Sequence, residues 1–197
     1  MQSLLLIISI MFKRKFKARC NRKIKHGVSF KMSITNQLIQ KYFLEPHPEG
    51  GCYKQTYKSN EQIDANALPE RFGANRSFST AIYFLLEKGS FSAFHRIKSD
   101  ECWHFYAGDP LFIYIIDQKG ELKVISLGND LEKGQSFQYV VLANCWFASR
   151  PAPKSEYCFV GCTVSPGFEF EDFELANATE LSVMYPQHKS IIIELCR

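Results

Sequence analysis

The sequence predicts an all-β fold, a sandwich or barrel of short strands preceded by one short helix. Three observations carry this expectation. Past residue 52, runs rich in Val, Ile, Phe, Tyr and Thr are punctuated by turn residues about every eight to twelve positions. Aromatic residues make up 14% of the chain, with seventeen Phe, so a ring-rich core or pocket is expected. A length of 197 residues suits one substantial core and is short for two.

The elements follow in order. Residues 33–43 place Leu38, Ile39, Tyr42 and Phe43 on one helical face, with Ser33 or Thr35 placed to cap. Residues 44–51, Leu-Glu-Pro-His-Pro-Glu-Gly-Gly, break that helix. Residues 52–57 alternate, 79–86 read as a strand buried on both faces, and 101–106 are aromatic and alternating. Residues 111–116 and 122–127 flank Asp117-Gln-Lys-Gly120, a hairpin with Gly in its turn. Further strands are expected at 137–142, 146–149, 157–161 and 163–164, with 191–195 closing the series. Residues 60–75 read as a covering loop, and 173–184 hold a short helix.

Charge divides the chain into a basic leader at 1–31 and one domain at 32–197. The net charge is +4, but residues 1–31 hold nine basic side chains and no acidic one. The remainder carries fifteen basic against twenty acidic groups, so the body is acidic and a nucleic-acid partner is not expected. The leader's apolar run is too short to span a bilayer and precedes its positive charge, the reverse of a secretory signal. It is read as a targeting segment or a non-native extension, with no membrane partner. A cytoplasmic location is expected, or an organellar one if the leader directs transit. Seven cysteines, without a second pair at zinc spacing, are read as buried free thiols.

The segment with most chemistry is residues 89–108, which reads G-x5-H-x-I-x3-E-x6-G from Gly89 through His95, Ile97 and Glu101 to Gly108. It resembles the first motif of the cupin jelly roll, whose pattern has His where Ile97 stands. Period-two alternation puts His95 and residue 97 on one face, and a hairpin return brings Glu101 beside them. The same parity points Trp103 and Phe105 inward and His104 outward. The later motif is expected near residues 134–148, and Trp146 stands near the place of its His. One His and one carboxylate fall short of the three protein ligands usual for catalytic zinc or non-haem iron. No cofactor is therefore expected, with His95 and Glu101 as the weak alternative metal site. The inward set, His95, Ile97, Glu101, Trp103, Phe105 and Trp146, describes a ring-lined cavity for a small planar or cyclic ligand.

Further blocks are similar to one branch, the cupin-5 family, also called DUF985. They are residues 45–53, 80–86, 95–104, 108–111 and 160–175. The resemblance implies a double-stranded β-helix, a homodimer, and a pocket related in shape to that of deoxysugar-nucleotide epimerases. It carries over His47, Glu49, Gly50 and Gly51 of the first loop, then Arg76, His95, Glu101 and Trp103. Leu142 and Asn144 depart from the Pro and Gly usual there. Phe168, Phe170 and Phe173 are expected to plug a core, and Glu169, Glu171, Asp172 and Glu174 to form a solvated face.

Three functional readings stand side by side. The first is a metal-free protein binding a small cyclic ligand, sugar- or nucleotide-like, with epimerisation or isomerisation by His95 as base and Glu101 orienting it. The second is a metal-dependent oxygenase or isomerase with a reduced ligand set. The third is a non-catalytic dimeric scaffold.

Overall fold

The structure, a computed structural model, describes residues 32–197. The leader and its expected roles lie outside the described residues. Helix α1 (Ile34–Tyr42) starts at Ser33, whose Oγ accepts the Asn36 N–H at 3.3 Å, and ends where Phe43 turns left-handed at φ 54°. It lays Leu38, Ile39 and Tyr42 against Leu44, Leu85 and Phe159. Phe43, expected on that apolar face, is 74% exposed, because the left-handed cap swings it away.

Two antiparallel sheets then form the expected jelly roll. The larger runs β1 (Glu45–Pro46), β2 (Cys52–Lys58), β5 (Thr80–Glu87), β12 (Tyr157–Ser165), β7 (Asp100–Gly108) and β10 (Gln138–Val141) in spatial order. The smaller runs β13 (Glu174–Leu175), β6 (Ser92–Arg96), β11 (Trp146–Pro151), β8 (Leu111–Ile116) and β9 (Leu122–Leu127). The 60–75 segment is more ordered than a plain loop: β3 (Gln62–Ile63) pairs with β4 (Arg76–Ser77) around a 3-10 turn at Ala65–Ala67.

The main core lies between the sheets and includes Phe84, Leu86, Trp103, Ile113, Phe147 and Val160. Strand β8 explains its own unbroken apolar run. Leu111, Ile113 and Ile115 face this core, while Tyr114 and Ile116 face a second one behind the smaller sheet. That second core is covered by α2 (Ala178–Met184) and α3 (Lys189–Leu195) through Leu181, Ile192 and Leu195. Residues 191–195, expected as a strand, are thus helical. Their β-branched residues suit a strand locally, but Ile192 and Leu195, three apart, bury on one helical face beside Phe94. Among the described residues all six cysteines are free thiols, and no helix is long and apolar enough to cross a membrane.

One topological detail shapes the site. Strands β6 and β7 do not pair with each other. β6 pairs with β11 and β13 in the smaller sheet, and β7 with β10 and β12 in the larger. The expected hairpin is therefore a corner, and His95 and Glu101 enter the interior from opposite sheets.

Candidate functional site

The chain enters the site through a tight loop. Pro46 and Pro48 stiffen residues 45–51, and Gly50 N–H bonds His47 O at 3.0 Å while His47 N–H bonds Gly51 O at 3.1 Å. Gly50, at φ 116°, passes so close to β6 that a Cβ there would meet Phe91 O at 2.2 Å. The Ala93 N–H donates to Glu49 O at 2.8 Å, so the loop is sewn onto β6. This stitching places Glu49 over Ser92 and His95.

Glu49 is the hub. Its Oε1 accepts the Ser92 hydroxyl at 2.8 Å, and its Oε2 lies 3.3 Å from both His47 Nδ1 and His95 Nε2. His95 Nδ1 lies 2.8 Å from Ala93 O, a contact that requires the proton on Nδ1 and leaves Nε2 bare toward Glu49. The His95 ring packs 4.1 Å from Phe147, its register partner on β11. The His47 ring meets Tyr53 edge-on at 4.5 Å.

Burial governs the electrostatics. It lowers His95 to about 4, against the opposing pull of the Ala93 carbonyl. It lowers His47 as well, with Glu49 opposing. It raises Glu49, against His47, the Ser92 hydroxyl and Arg197. Glu101, on β7, is pushed up to about 8 by burial first and then by the charge of Glu49, while its hydrogen bond with the Cys162 thiol opposes the rise. Burial and Glu101 together drive Cys162 well above the ordinary thiol value, so it is no nucleophile.

These groups face a cavity of about 270 Å³. Of the residues expected there, His47, Glu49, His95, Ile97 and Glu101 line it. The expected pairing within it changes, since the carboxylate in reach of His95 is Glu49, and Glu101 bonds Cys162 instead. Trp146 is a correction of register. Phe147 is the residue opposite His95, so it is Phe147 that faces inward, and Trp146 points to the second core under the Arg96 guanidinium at 4.5 Å. Trp103 and Phe105 pack in or against the main core without lining the cavity. Gly50 and Gly51 shape the loop behind it.

Arg76 works from outside. Its side chain, 1% exposed, grips Asp172 with Nε at 2.6 Å from Oδ2 and Nη2 at 2.7 Å from Oδ1. Asp172 is therefore buried rather than part of a solvated face. The pair anchors the strap at residues 166–173, which turns Phe168, Phe170 and Phe173 onto the cavity. At the mouth Lys58 pairs with Glu169. The strap residues, Tyr53, Phe84 and Cys162 were not assigned to the site from sequence. Only the Phe-x-Phe-x-x-Phe spacing after Gly167 signalled them, and it reads equally as a core plug. The outward parity expected of His104 is observed: it bonds Thr163 on the far side of the sheet at 3.1 Å. Among the described residues no three His, Cys, Asp or Glu side chains converge as a metal site requires.

The comparisons agree with this architecture. A curated relative, the uncharacterized protein YML079W of Saccharomyces cerevisiae, is 29% identical over 149 residues, covering 71% of this chain and 74% of its own. The solved structure of protein SO0799 from Shewanella oneidensis is 41% identical, with TM-score 0.76, over 84% of this chain and 99% of that one. A hypothetical protein from Leishmania major is 34% identical, with TM-score 0.76, over 83% and 99%. The sequence pattern of the cupin superfamily branch DUF985 matches residues 36–176, and with the fold and these likenesses the chain belongs to that family.

Proposed function

We propose that this protein binds a small cyclic ligand, sugar- or nucleotide-like, in the ring-lined cavity without a metal, and moves a proton on it as an epimerase or isomerase. The observation that carries this reading is the Glu49 carboxyl set 3.3 Å from two buried imidazoles, with a second acid, Glu101 of β7, lining the same cavity. His95 is the base, and Glu49 takes the orienting part that the sequence suggested for Glu101. Glu101 is the acid, because it still holds its proton at neutral pH.

In the step this supports, a ring C–H beside a carbonyl breaks and its proton goes to the His95–Glu49 pair. The electron pair stays on the ring as an enolate. Glu101 then breaks its O–H and protonates the opposite face of the same carbon, and the proton returns from the pair to Glu101 between turnovers. The aromatic walls hold the ring flat against these two groups. A homodimer belongs to the same reading. Tyr106, Val140 and Leu142 stay 50%, 43% and 62% exposed on the part of the larger sheet's outer face that α1 leaves open.

The test is a panel of sugars and sugar nucleotides incubated with the protein in D2O and followed by NMR. Deuterium is expected to enter one ring carbon of a compound that binds, and to stop entering in His95→Asn. Binding without any exchange would reduce the protein to a binder. A panel without binding, by thermal shift and by NMR, would sink the reading.

A further inference from the structure

We propose, resting on the reading of the cavity as a cyclic-ligand site, that the buried part of the ligand is a cation: a protonated ring amine, such as an amino sugar, held between Glu49 and Glu101. The cavity interior is built of acceptors and rings. Glu49 enters from the first loop and Glu101 from β7, and both line the one cavity, near enough for the charge of Glu49 to act on Glu101. Glu101 has the Cys162 thiol as its one side-chain hydrogen-bond partner, which leaves acceptor capacity turned to the cavity. His47, with 8% of its side chain exposed, spends Nδ1 on Glu49, accepting its backbone N–H at 3.4 Å, so its own proton sits on Nε2. An ammonium offers three donors and no acceptor, and the two carboxyl groups offer it acceptors.

The walls fit the same charge. Tyr53, Phe84, Phe170 and Phe173 present ring surface to the cavity, and a cation over an aromatic face gains about 0.5–2 kcal/mol by attraction to the ring quadrupole. An anion entering here meets Glu49, Glu101 and, at the mouth, Glu169. Among the lining residues the one lysine or arginine is Lys58, which is already paired with Glu169 at the mouth. A neutral ring would be served by the hydrogen bonds but would draw no proton from Glu101 and gain no ion pair with it.

Binding is then coupled to proton release. Facing Glu101 are Glu49, His47 and His95, with Tyr53 and Lys58 of β2 and Glu169 of the strap, and Cys162 lies beside it. Both imidazoles are lowered and the thiol is raised, so each is shifted away from neutral pH. Glu101 holds its proton up to about 8, and an arriving ammonium displaces it; when Glu101 then acts as the acid of the proposed step, the ammonium beside it supplies the proton.

Three probes of one ring and different charge decide the matter: cyclohexylamine, cyclohexanol and cyclohexanecarboxylate, titrated calorimetrically in two buffers of unequal ionisation enthalpy. The amine, protonated like a lysine across the range used, is expected to bind at least about tenfold tighter than the alcohol, with the carboxylate weakest. Close to one proton should leave per amine bound near neutral pH. Affinity should rise by up to about tenfold per pH unit until about pH 8 and then level off. Glu101→Gln, checked for folding by its thermal transition, should lose both the proton release and the amine's advantage. An alcohol that binds as tightly as the amine, or an amine bound without proton release, overturns the cation and leaves the ring-binding reading standing. Failure of all three probes at millimolar concentration overturns the cation and counts against that reading too.

Discussion

Replacing Arg76 by Met tests whether the strap is held by the buried pair. The guanidinium and the Asp172 carboxylate are 1% and 3% exposed and meet through two short parallel hydrogen bonds. Arg76 also donates to the carbonyls of Ala74 at 3.0 Å and Asn75 at 2.9 Å, which would lose their partner. Removing one member of a buried pair costs about 3–5 kcal/mol, because the remaining charge stays desolvated. Lys98 Nζ, 3.2 Å from Asp172 and 34% exposed, compensates in part, so the loss should fall near the lower end, about 3 kcal/mol. For a domain of this size that lowers the melting temperature by roughly 6–12 °C. The readout is urea denaturation of wild type, Arg76→Met, and Arg76→Met with Asp172→Leu. The double variant should regain much of the loss, since no charge is then buried alone. By contrast Glu171, 58% exposed, should lose less than about 1 kcal/mol on change to Ala, although it too contacts Arg76. A single-variant loss below about 1 kcal/mol, or a double variant no more stable than the single, would refute the account.

The remaining predictions address the cavity. Glu101 is raised in the folded state from 4.5 to about 8, so the folded protein binds the extra proton and stability falls as pH rises through that window. His95 is lowered from 6.5 to about 4, so its contribution to stability rises with pH between those values and offsets Glu101 there. Denaturation midpoints should therefore drop between about pH 6.5 and 8 in wild type and stay level in Glu101→Gln; an equal drop in both would count against the assignment. Gly50→Ala should cost about 1–3 kcal/mol, since φ 116° strains an L residue and its Cβ would strike Phe91 O; unchanged stability in a thermal melt would show the loop to be loose. Ile97→His should create micromolar Ni2+ affinity by calorimetry, because residue 97 lines the cavity with His95 and Glu101; no gain over wild type would mean the three cannot converge.

The strands, the first helix and the family were legible because they rest on local periodicity and on motif spacing. Residues 111–116 and 79–86 read correctly as strands since both faces are buried and no alternation is needed. Residues 191–195 misread because three consecutive Ile outweigh helical spacing when the packing partner, Phe94 about a hundred positions away, cannot be seen. The site was half legible. His95, Ile97 and Glu101 kept their inward parity, but the sheet to which each strand belongs is a long-range fact, so the His95–Glu101 pairing could not be checked from spacing. Trp146 and Phe147 differ by one residue, and a slip of one position moves a strand's side chains to the other face. Asp172 looked solvated among four acids because its partner lies 96 residues away.

The contact between His95 and Glu49 explains how an acid-bearing cavity can be ring-lined at all. The Ala93 carbonyl fixes the His95 proton on Nδ1, so Nε2 presents a lone pair to Glu49 Oε2 at 3.3 Å. A carboxylate facing a bare nitrogen would repel it, and a shared proton turns the contact into a hydrogen bond. Burial lowers His95 and raises Glu49, and both effects favour the carboxyl over the imidazole as the place of that proton. Glu101 carries its proton at rest. Glu101 is thus uncharged at neutral pH, which is why it can lie in a ring-lined cavity where an ionised acid would pay a large desolvation penalty, while Glu49 has the Ser92 hydroxyl and the charge of Arg197 acting on it. Neutrality is also what makes the site responsive. A ligand that brings positive charge draws the Glu101 proton off, and the cavity gains the negative charge it needs only when the ligand is there to match it.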